Sequence, residues 1–278
     1  MRFILFLSLV AASLFADFSK TVYPLSLEPI DVVIPCHKKD CGSLERCVKA
    51  IRKYGLNIGR VIVVSSEPLT MNAEWFDENN FPFSKDDLLR EIYRGKEEKM
   101  HRGLCRIGWI YQQFLKLYAF SVIPNISSNI LILDADTIFL KPTAFLSSSG
   151  EPFFNPGKEY YPPYFDHAQR LLPGFRKVFP KHSGICHHML FQRPILEDLF
   201  DQISRVHGIK PWKAIARCID YKEVKRSCLS EYEIYFNFVF MRTDQAHLRK
   251  LKWKNIESLD QVKDYKKKGY DYVSCHVY

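Results

Sequence analysis

One run of residues constrains the fold of this chain more than any other: a short apolar segment that ends in two carboxylates. Residues 129–133 read Asn-Ile-Leu-Ile-Leu, and Asp134 and Asp136 follow directly. A continuous apolar run bounded by polar residues predicts a β-strand buried on both faces, as in a parallel sheet with helices on either side. Ligands of such sheets bind beyond the carboxyl ends of the strands, which is where both aspartates lie.

The two carboxylates indicate a site for a metal ion or a phosphate group. Asp134 and Asp136 are two residues apart, so an extended backbone projects both side chains to the same side. Carboxylates this close repel each other unless a cation lies between them or one takes a proton. A structural interpretation stays open, in which one Asp caps the next turn and the other lies in water.

The region before this strand predicts a parallel sheet. Residues 31–35 predict a strand, residues 43–54 predict a helix that ends at Gly55, and residues 60–65 predict a second strand. This succession is a βαβ unit, in which the two strands pair in parallel. The basic loop over residues 35–39 suits a nucleotide, although it has no glycine-rich phosphate-binding motif.

The rest of the chain predicts one domain over residues 30–278. A helix over residues 108–120 carries Gln113 and Lys116 on one face. Residues 90–106 predict a charged loop, and residues 147–183 predict a long loop or insertion over the site. Further helices are predicted from Pro194, over residues 212–219 and from Ser230 to about Met241, and a last strand over residues 270–278.

Charge and cysteine content narrow the classes of partner. The chain has 278 residues, a net charge of +9 and 47% hydrophobic residues, which favours a globular protein with an anionic partner such as a nucleotide, a phosphorylated substrate or a membrane surface. Nucleic acid is not supported, because the basic residues are spread along the chain and no nucleic-acid-binding motif occurs. The eight cysteines form no C-x-x-C motif, and they permit disulfides without requiring them.

The first 16 residues predict a targeting segment. Arg2 is followed by an apolar run over residues 3–16, the pattern of a secretory signal peptide. The run is shorter than the roughly 20 residues of a membrane span. Leu14 is not the small residue that a cleavage site prefers, so a short uncleaved membrane anchor is the alternative. Either interpretation predicts a secretory or membrane-associated protein, whereas a buried N-terminal segment would leave the protein cytoplasmic.

The motifs together resemble a poorly characterised DUF-type family of GT-A-fold glycosyltransferases. The resemblance covers roughly residues 30–278, and its most specific part is the combination of the D-x-D, an S-E-Y-E helix and a Q-Q-x-x-x-K helix. It implies an α/β, GT-A (nucleotide-diphospho-sugar transferase-like) Rossmann-like domain with a mixed central sheet. The motifs are residues 31–35, Gly108-Trp109, Gln112-Gln113 with Lys116, residues 133–137, His187-His188-Met189, residues 230–235 and His276.

The resemblance implies transfer of a sugar from a UDP- or GDP-linked donor to a glycan, lipid or protein acceptor. It implies that Asp136 ligates Mn²⁺ or Mg²⁺, which neutralises the diphosphate leaving group. His276 would complete the metal site. Asp134 would share in that site by holding a metal-bound water, or would bind the ribose of the donor. Gln113 and Lys116 would face the donor, and Lys38 or Lys39 would reach its diphosphate.

The candidates for the residue that activates the acceptor are Glu231, Glu233 and one of two adjacent histidines. Glu231 is the first, because a positioned carboxylate takes a proton from a hydroxyl group. Ser230 and Glu233 have the spacing of a capping box, which predicts a structural role for Glu233. His188, or its neighbour His187, is the alternative as a base or as part of the acceptor pocket.

Two other functions are compatible with the D-x-D. In a haloacid-dehalogenase-type phosphohydrolase, Asp134 would be the nucleophile and Asp136 the acid or base. That motif normally opens its domain, whereas over 100 residues precede it here, and no later Asp-Asp pair occurs for Mg²⁺. A non-catalytic secreted binding module would keep the fold and could lack metal binding.

Overall fold

The computed structural model describes residues 16–100 and 105–275. The predicted targeting segment, apart from Ala16, and the predicted ligand His276 lie outside the described residues. Among the residues that are described, no helix is both long enough and apolar enough to cross a membrane. The eight cysteines are all described, and each is a free thiol.

Helices and strands alternate along most of the described chain. The strands are β1 (Ile30–Pro35), β2 (Ile58–Ser65), β3 (Glu74–Asp77), β4 (Asn129–Leu133), β5 (Thr137–Phe139), β6 (Phe153–Phe154), β7 (His188–Gln192), β8 (His247–Leu248), β9 (Trp253–Ile256) and β10 (Tyr272–Cys275). The helices are α1 (Cys41–Tyr54), α2 (Lys85–Ile92), α3 (Ile107–Val122), α4 (Pro162–Leu171), α5 (Arg193–His207), α6 (Pro211–Arg217), α7 (Glu231–Arg242) and α8 (Val262–Lys267).

The central sheet has the strand order β3-β2-β1-β4-β7. The pairs β2–β3, β1–β2 and β1–β4 are parallel, whereas β7 runs antiparallel to β4. The α/β fold class with a mixed central sheet is therefore confirmed, as is the parallel βαβ unit at its start. Every residue of β1, β4 and β7 is buried, which explains why β4 carries a continuous apolar run rather than an alternating pattern.

A smaller sheet brings the end of the described chain to the D-x-D. Its order is β5-β10-β9, with β10 antiparallel to β5 and parallel to β9. The N–H of Cys275, the last described residue, donates to the carbonyl of Asp136 at 3.0 Å. The chain therefore leaves the described region directly beside Asp136.

Two segments predicted as loops contain helices. The first, residues 90–106, includes only the last three residues of α2, a helix that begins at a reciprocal capping box between Ser84 and Asp87 and ends at Ile92. In the second, residues 147–183 contain β6 and α4, whose first residue is Pro162. In the sequence, the many turn-forming residues around α4 outweigh the signal of its apolar face, which consists of Tyr164, Phe165, Ala168 and Leu171.

Candidate active site

A buried ion pair network lies where β4 ends. The ammonium of Lys116 is 2.8 Å from Asp134 Oδ1 and 2.8 Å from Glu231 Oε1. The side chains of Lys116 and Glu231 are only 4% and 2% exposed, whereas Asp134 is 23% exposed. We call Lys116, Asp134 and Glu231 the ionic cluster. Asp134 is its most accessible member and therefore the part that a ligand would meet first.

Three different elements deliver the three members of the ionic cluster. Asp134 follows the buried strand β4, Lys116 lies in the middle of α3, and Glu231 is the first residue of α7. The hydroxyl of Ser230 accepts the N–H of Glu233 at 3.1 Å and so caps the start of α7. An acidic side chain in the first turn also interacts favourably with the helix dipole. The sequence around Ser230 thus fixes the position from which Glu231 reaches Lys116.

The environment shifts the pKa of each member of the ionic cluster. Burial alone would lower the pKa of Lys116, but Asp134 and Glu231 outweigh it and raise that pKa. Burial would raise the pKa of Asp134, but the charge of Lys116 and the contact with His187 lower it. Burial raises the pKa of Glu231, and Lys116 offsets this only in part. Asp134 is therefore the firmly ionised carboxylate, and Glu231 is the one that holds a proton more readily.

Consecutive histidines meet different surroundings. His187 Nδ1 is 3.7 Å from Asp134 Oδ2, and its ring packs edge-on against Trp253. His188, the predicted candidate for acid–base work, is the first residue of β7 and pairs with Leu133. Of the two rings, that of His187 is the one with an ion-pair contact to the carboxylate of Asp134.

His188 lies in an aromatic interior instead. Its ring contacts Phe139, Phe145 and Tyr272 with centroid distances of 5.1–5.7 Å. Burial lowers the pKa of His188 to about 3, which keeps the imidazole neutral near pH 7. His187 is therefore the better candidate than His188 for a role in acid–base chemistry.

The other predicted donor-binding residues do not join the ionic cluster. Gln113 is buried and its amide donates to the carbonyl of Trp109, one turn earlier in α3, at 3.0 Å. Its neighbour Gln112 is the one that reaches the sheet, donating to the carbonyl of Pro35 at 3.3 Å. Lys38 lies in the turn after β1, exposed and paired with Glu67 at 2.9 Å.

Glu233 has the structural role that its spacing predicts, although with partners other than those expected. Ser230 caps the helix, but the carboxylate of Glu233 accepts hydrogen bonds from Ser183 Oγ at 2.5 Å and Asn237 Nδ2 at 2.8 Å. The reciprocal bond of a capping box is replaced because the buried side chain faces the segment that precedes β7 rather than the solvent. Glu233 therefore fixes the segment that carries His187.

A close backbone contact holds the same segment. Gly157 and Ser183 exchange backbone hydrogen bonds of 2.8 and 3.1 Å. A Cβ atom on Gly157 would lie 2.1 Å from the carbonyl oxygen of Ile185. Because only a glycine permits this approach, the residues before β7 are anchored to residue 157 independently of Glu233.

Comparison with known sequences places the chain in a family. A family of unknown function, DUF6492, matches residues 17–268. The chain belongs to this family. No curated protein matches it.

Two solved structures resemble the fold of this DUF6492 protein. Mouse xyloside xylosyltransferase 1 matches with a TM-score of 0.42 and 10% identity, over 89% of this chain and 97% of that one. The bifunctional glycosyltransferase WbbM matches with a TM-score of 0.46 and 8% identity, over 93% of this chain and 47% of that one. Both likenesses are distant, so the function is argued from the site.

An aromatic wall borders the ionic cluster, and no local sequence pattern predicts it. Trp253 and Tyr272 stack with their rings 5.7 Å apart and nearly parallel, and the ring of His187 meets the ring of Trp253 at 5.0 Å. Trp253 lies on β9 and Tyr272 opposite it on β10. Such a register between distant strands leaves no local pattern.

The arrangement in this DUF6492 protein concentrates negative charge at a strand end. Asp134, Asp136 and Glu231 supply three carboxyl groups, and Lys116 supplies the one ammonium bound to two of them. In residues 16–100 and 105–275, no three metal-ligating side chains come together. Any full set of ligands around Asp136 would thus need a ligand from outside these residues or from a substrate.

Proposed function

We propose that this protein transfers a sugar from a nucleotide-diphosphate-sugar donor to an acceptor hydroxyl, with a divalent cation at the D-x-D. The observation that carries this proposal is the ionic cluster at the carboxyl end of β4, directly before Asp136. A ligand of an α/β sheet binds at that edge. A diphosphate leaving group requires compensation of its charge there, which carboxylates alone cannot give.

The chemistry of Asp136 supports the proposal of a hard divalent cation. Asp136 would hold Mn²⁺ or Mg²⁺ through carboxylate oxygen, the ligand type that both ions prefer. His276 directly follows Cys275, whose N–H donates to the carbonyl of Asp136, so the sequence can supply it as a further ligand. Bound there, the cation would neutralise the charge that develops on the diphosphate as the glycosidic bond breaks.

Lys116 prepares the carboxylates for their separate roles. By binding Asp134 Oδ1, it keeps this side chain ionised and oriented, with Oδ2 directed towards His187. An oriented carboxylate oxygen accepts a hydrogen bond from a ribose hydroxyl or from a water on the cation. Asp134 would thus position the donor, and Asp136 would be the principal ligand.

Glu231 is the proposed proton acceptor for the acceptor hydroxyl. Lys116 holds its Oε1, which fixes the orientation of the carboxylate, and burial raises the pKa of Glu231. A general base works best when its pKa lies closer to the operating pH than that of an ordinary carboxylate. His187 lies beside Asp134 and is the second residue within reach of the site.

Thermal unfolding with nucleotides tests the proposal. UDP, GDP and UDP-sugars are added to the full chain with and without Mn²⁺, for the wild type, for Asp136→Asn and for the control Asp201→Asn on the exposed face of α5. A ligand that binds only the folded state raises the midpoint, by about 2.7 kcal/mol of added stability at a hundredfold excess over Kd. We expect a shift that requires nucleotide and Mn²⁺ together, persists in Asp201→Asn and vanishes in Asp136→Asn.

The contrary results are equally defined. No shift with any nucleotide would contradict the transferase proposal. Hydrolysis of phosphate esters that depends on Asp134 would support a phosphohydrolase in its place. A nucleotide-induced shift that persists in Asp136→Asn would support nucleotide binding but contradict the role of Asp136 as a metal ligand.

A further inference from the structure

A second, basic groove lies at the end of α2. Two cavities of about 520 and 490 Å³ share Glu91, Arg94 and Arg217 in their walls, so they form one groove. Cavities of this size hold a small organic molecule rather than an inorganic ion alone. None of the residues that line the groove belongs to the ionic cluster or to the aromatic wall.

The groove carries an excess of positive charge. Its walls contain seven basic side chains against three acidic ones, Asp87, Glu91 and Asp220. This excess attracts an anionic ligand. The basic residues are Arg90, Arg94, Lys96, Arg170, Lys213, Arg217 and Lys222.

The acidic side chains are already used within the protein. Glu91 accepts from Arg217 Nε at 2.7 Å and lies 3.0 Å from Lys213 Nζ. Asp87 pairs with an arginine of its own helix and caps the start of α2. Asp220 accepts the backbone N–H of Lys222 at 2.9 Å. These contacts neutralise part of the wall and leave the rest of the positive charge uncompensated.

The other basic side chains of the groove have N–H groups that are available to donate to a ligand. Within the part of the chain that the structure describes, no carboxylate forms an ion pair with Arg94, Arg170 or Lys222. Arg170 uses its Nε to donate to the carbonyl of Cys218 at 2.8 Å, which fixes its guanidinium at the groove while the terminal amino groups stay available. Fixed guanidinium groups suit the paired oxygens of phosphate or sulfate.

Aromatic rings lie among these cations. The ammonium of Lys96 is 4.5 Å from the centre of the Tyr221 ring, and Tyr93 packs beside that ring at 6.0 Å. Tyr221 lines one cavity and Trp212 lines the other. Trp212 is only 8% exposed, whereas Tyr221 is partly exposed. A partly exposed ring beside an ammonium suits a ligand that joins an apolar C–H surface to an anionic substituent.

We propose that this groove binds a saccharide that carries phosphate or sulfate. The size of the cavities, the uncompensated arginines and the partly exposed ring of Tyr221 together favour this chemical class over a bare anion. The inference goes beyond the proposed function, because binding in the groove requires neither the D-x-D nor a cation.

Binding measurements on the full chain test this second site. The probes are glucose 6-phosphate, glucose 6-sulfate, unmodified glucose, inorganic phosphate and vesicles that contain phosphatidylserine, and calorimetry gives Kd for each. Arg94→Gln combined with Lys96→Gln removes two exposed cations from the groove. Lys263→Gln combined with Lys267→Gln removes the same charge from exposed positions on α8. We expect the groove variant to lose at least about tenfold in affinity for the charged sugars, which corresponds to about 1.4 kcal/mol. The α8 variant should bind them with the affinity of the wild type.

Each contrary result overturns a stated part of the proposal. Equal weakening in both double variants would mean general electrostatic attraction and no groove site. If inorganic phosphate bound as tightly as glucose 6-phosphate, the sugar would contribute nothing and the ligand would not be a saccharide. Binding only to vesicles that contain phosphatidylserine would replace the sugar with a membrane surface. Loss of sugar phosphate binding in Asp136→Asn would place it at the D-x-D, whereas unchanged binding there separates this test from that of the proposed function.

Discussion

Glu231 and Glu233 lie two residues apart on α7, and both are buried, yet they have different partners. Glu231 binds the ammonium of Lys116 at 2.8 Å. Glu233 binds the neutral groups Ser183 and Asn237. Burial raises the pKa of both carboxyls. Burial alone therefore does not distinguish a candidate active-site carboxylate from a structural one. The charge of the partner and the segment that carries it make the distinction.

The partners also connect the two carboxylates to different parts of the molecule. Through Lys116, Glu231 is linked to Asp134 and hence to the open end of β4. Through Ser183, Glu233 is linked to the segment before β7, and Asn237 continues this link by accepting the N–H of Val178 at 2.9 Å. Removing Glu231 should therefore affect chemistry, and removing Glu233 should affect stability.

The largest expected effect is that of removing the shared cation. Lys116→Met leaves Asp134 and Glu231 buried without a counter-charge, which should lower the free energy of unfolding by about 3–5 kcal/mol. Urea titration followed by circular dichroism measures this difference. Lys267→Met, at an exposed position, should stay within about 0.5 kcal/mol of the wild type. Lys116→Met with Glu231→Gln should recover part of the loss, and failure to recover any would refute the energetic link between the two residues.

The second expected effect separates the two carboxylates by activity. If Glu231 accepts the proton, Glu231→Gln should lower kcat of sugar transfer by about 100-fold, the lower end of the contribution of a general base. The amide has the size of the carboxylate, so the nucleotide-induced thermal shift should persist. Glu233→Gln should change kcat only a few-fold. Equal kcat losses in the two variants would show that the assignment of Glu231 as the base is wrong.

The third expected effect separates them by stability. Glu233→Ala leaves the hydroxyl of Ser183 and the amide of Asn237 without their common acceptor, which should cost about 1–3 kcal/mol in the free energy of unfolding. The matched control is Glu257→Ala, at an exposed position. Hydrogen exchange should also accelerate at the backbone amides around residue 183. Unchanged exchange there would contradict the role of Glu233 in fixing this segment.

The smallest expected effect is a pH dependence. Because burial raises the pKa of Glu233 above 4.5 in the folded state, the folded protein binds this proton more tightly than the unfolded chain does. That contribution is complete below about pH 4.5 and is lost as the pH rises through the folded-state pKa. The stability of the wild type relative to Glu233→Gln, measured by urea titration, should therefore decline as the pH rises from 4.5 to 7.

Asp134 supplies the opposite sign and so serves as the control for this measurement. Lys116 and His187 lower its pKa, so its contribution is present above the usual range of aspartate and is lost as the pH falls through the lowered value. The stability of the wild type relative to Asp134→Asn should accordingly decline on acidification. The same slope for both variants would contradict the assigned shifts.

Local sequence patterns predicted much of the fold. The apolar run before Asp134 is a buried strand of the central sheet, and the strand, helix and strand at the start are β1, α1 and β2. Ser230 marked the start of α7 because a capping hydroxyl acts within three residues. The helix α4 was missed because Gly, Pro and Tyr around it gave the stronger signal for a loop.

Local sequence patterns therefore identify β1, α1, β2 and β4, and they place Asp134 and Asp136 at a strand end. The packing of distant elements determines which groups meet these carboxylates: Lys116 and Glu231 are 115 residues apart in the chain, and of two adjacent histidines it is His187 that contacts Asp134. The two kinds of information differ in the sequence distance over which they act. Hydrophobic periodicity and helix caps act over a few residues, whereas a buried ion pair depends on how distant elements pack together.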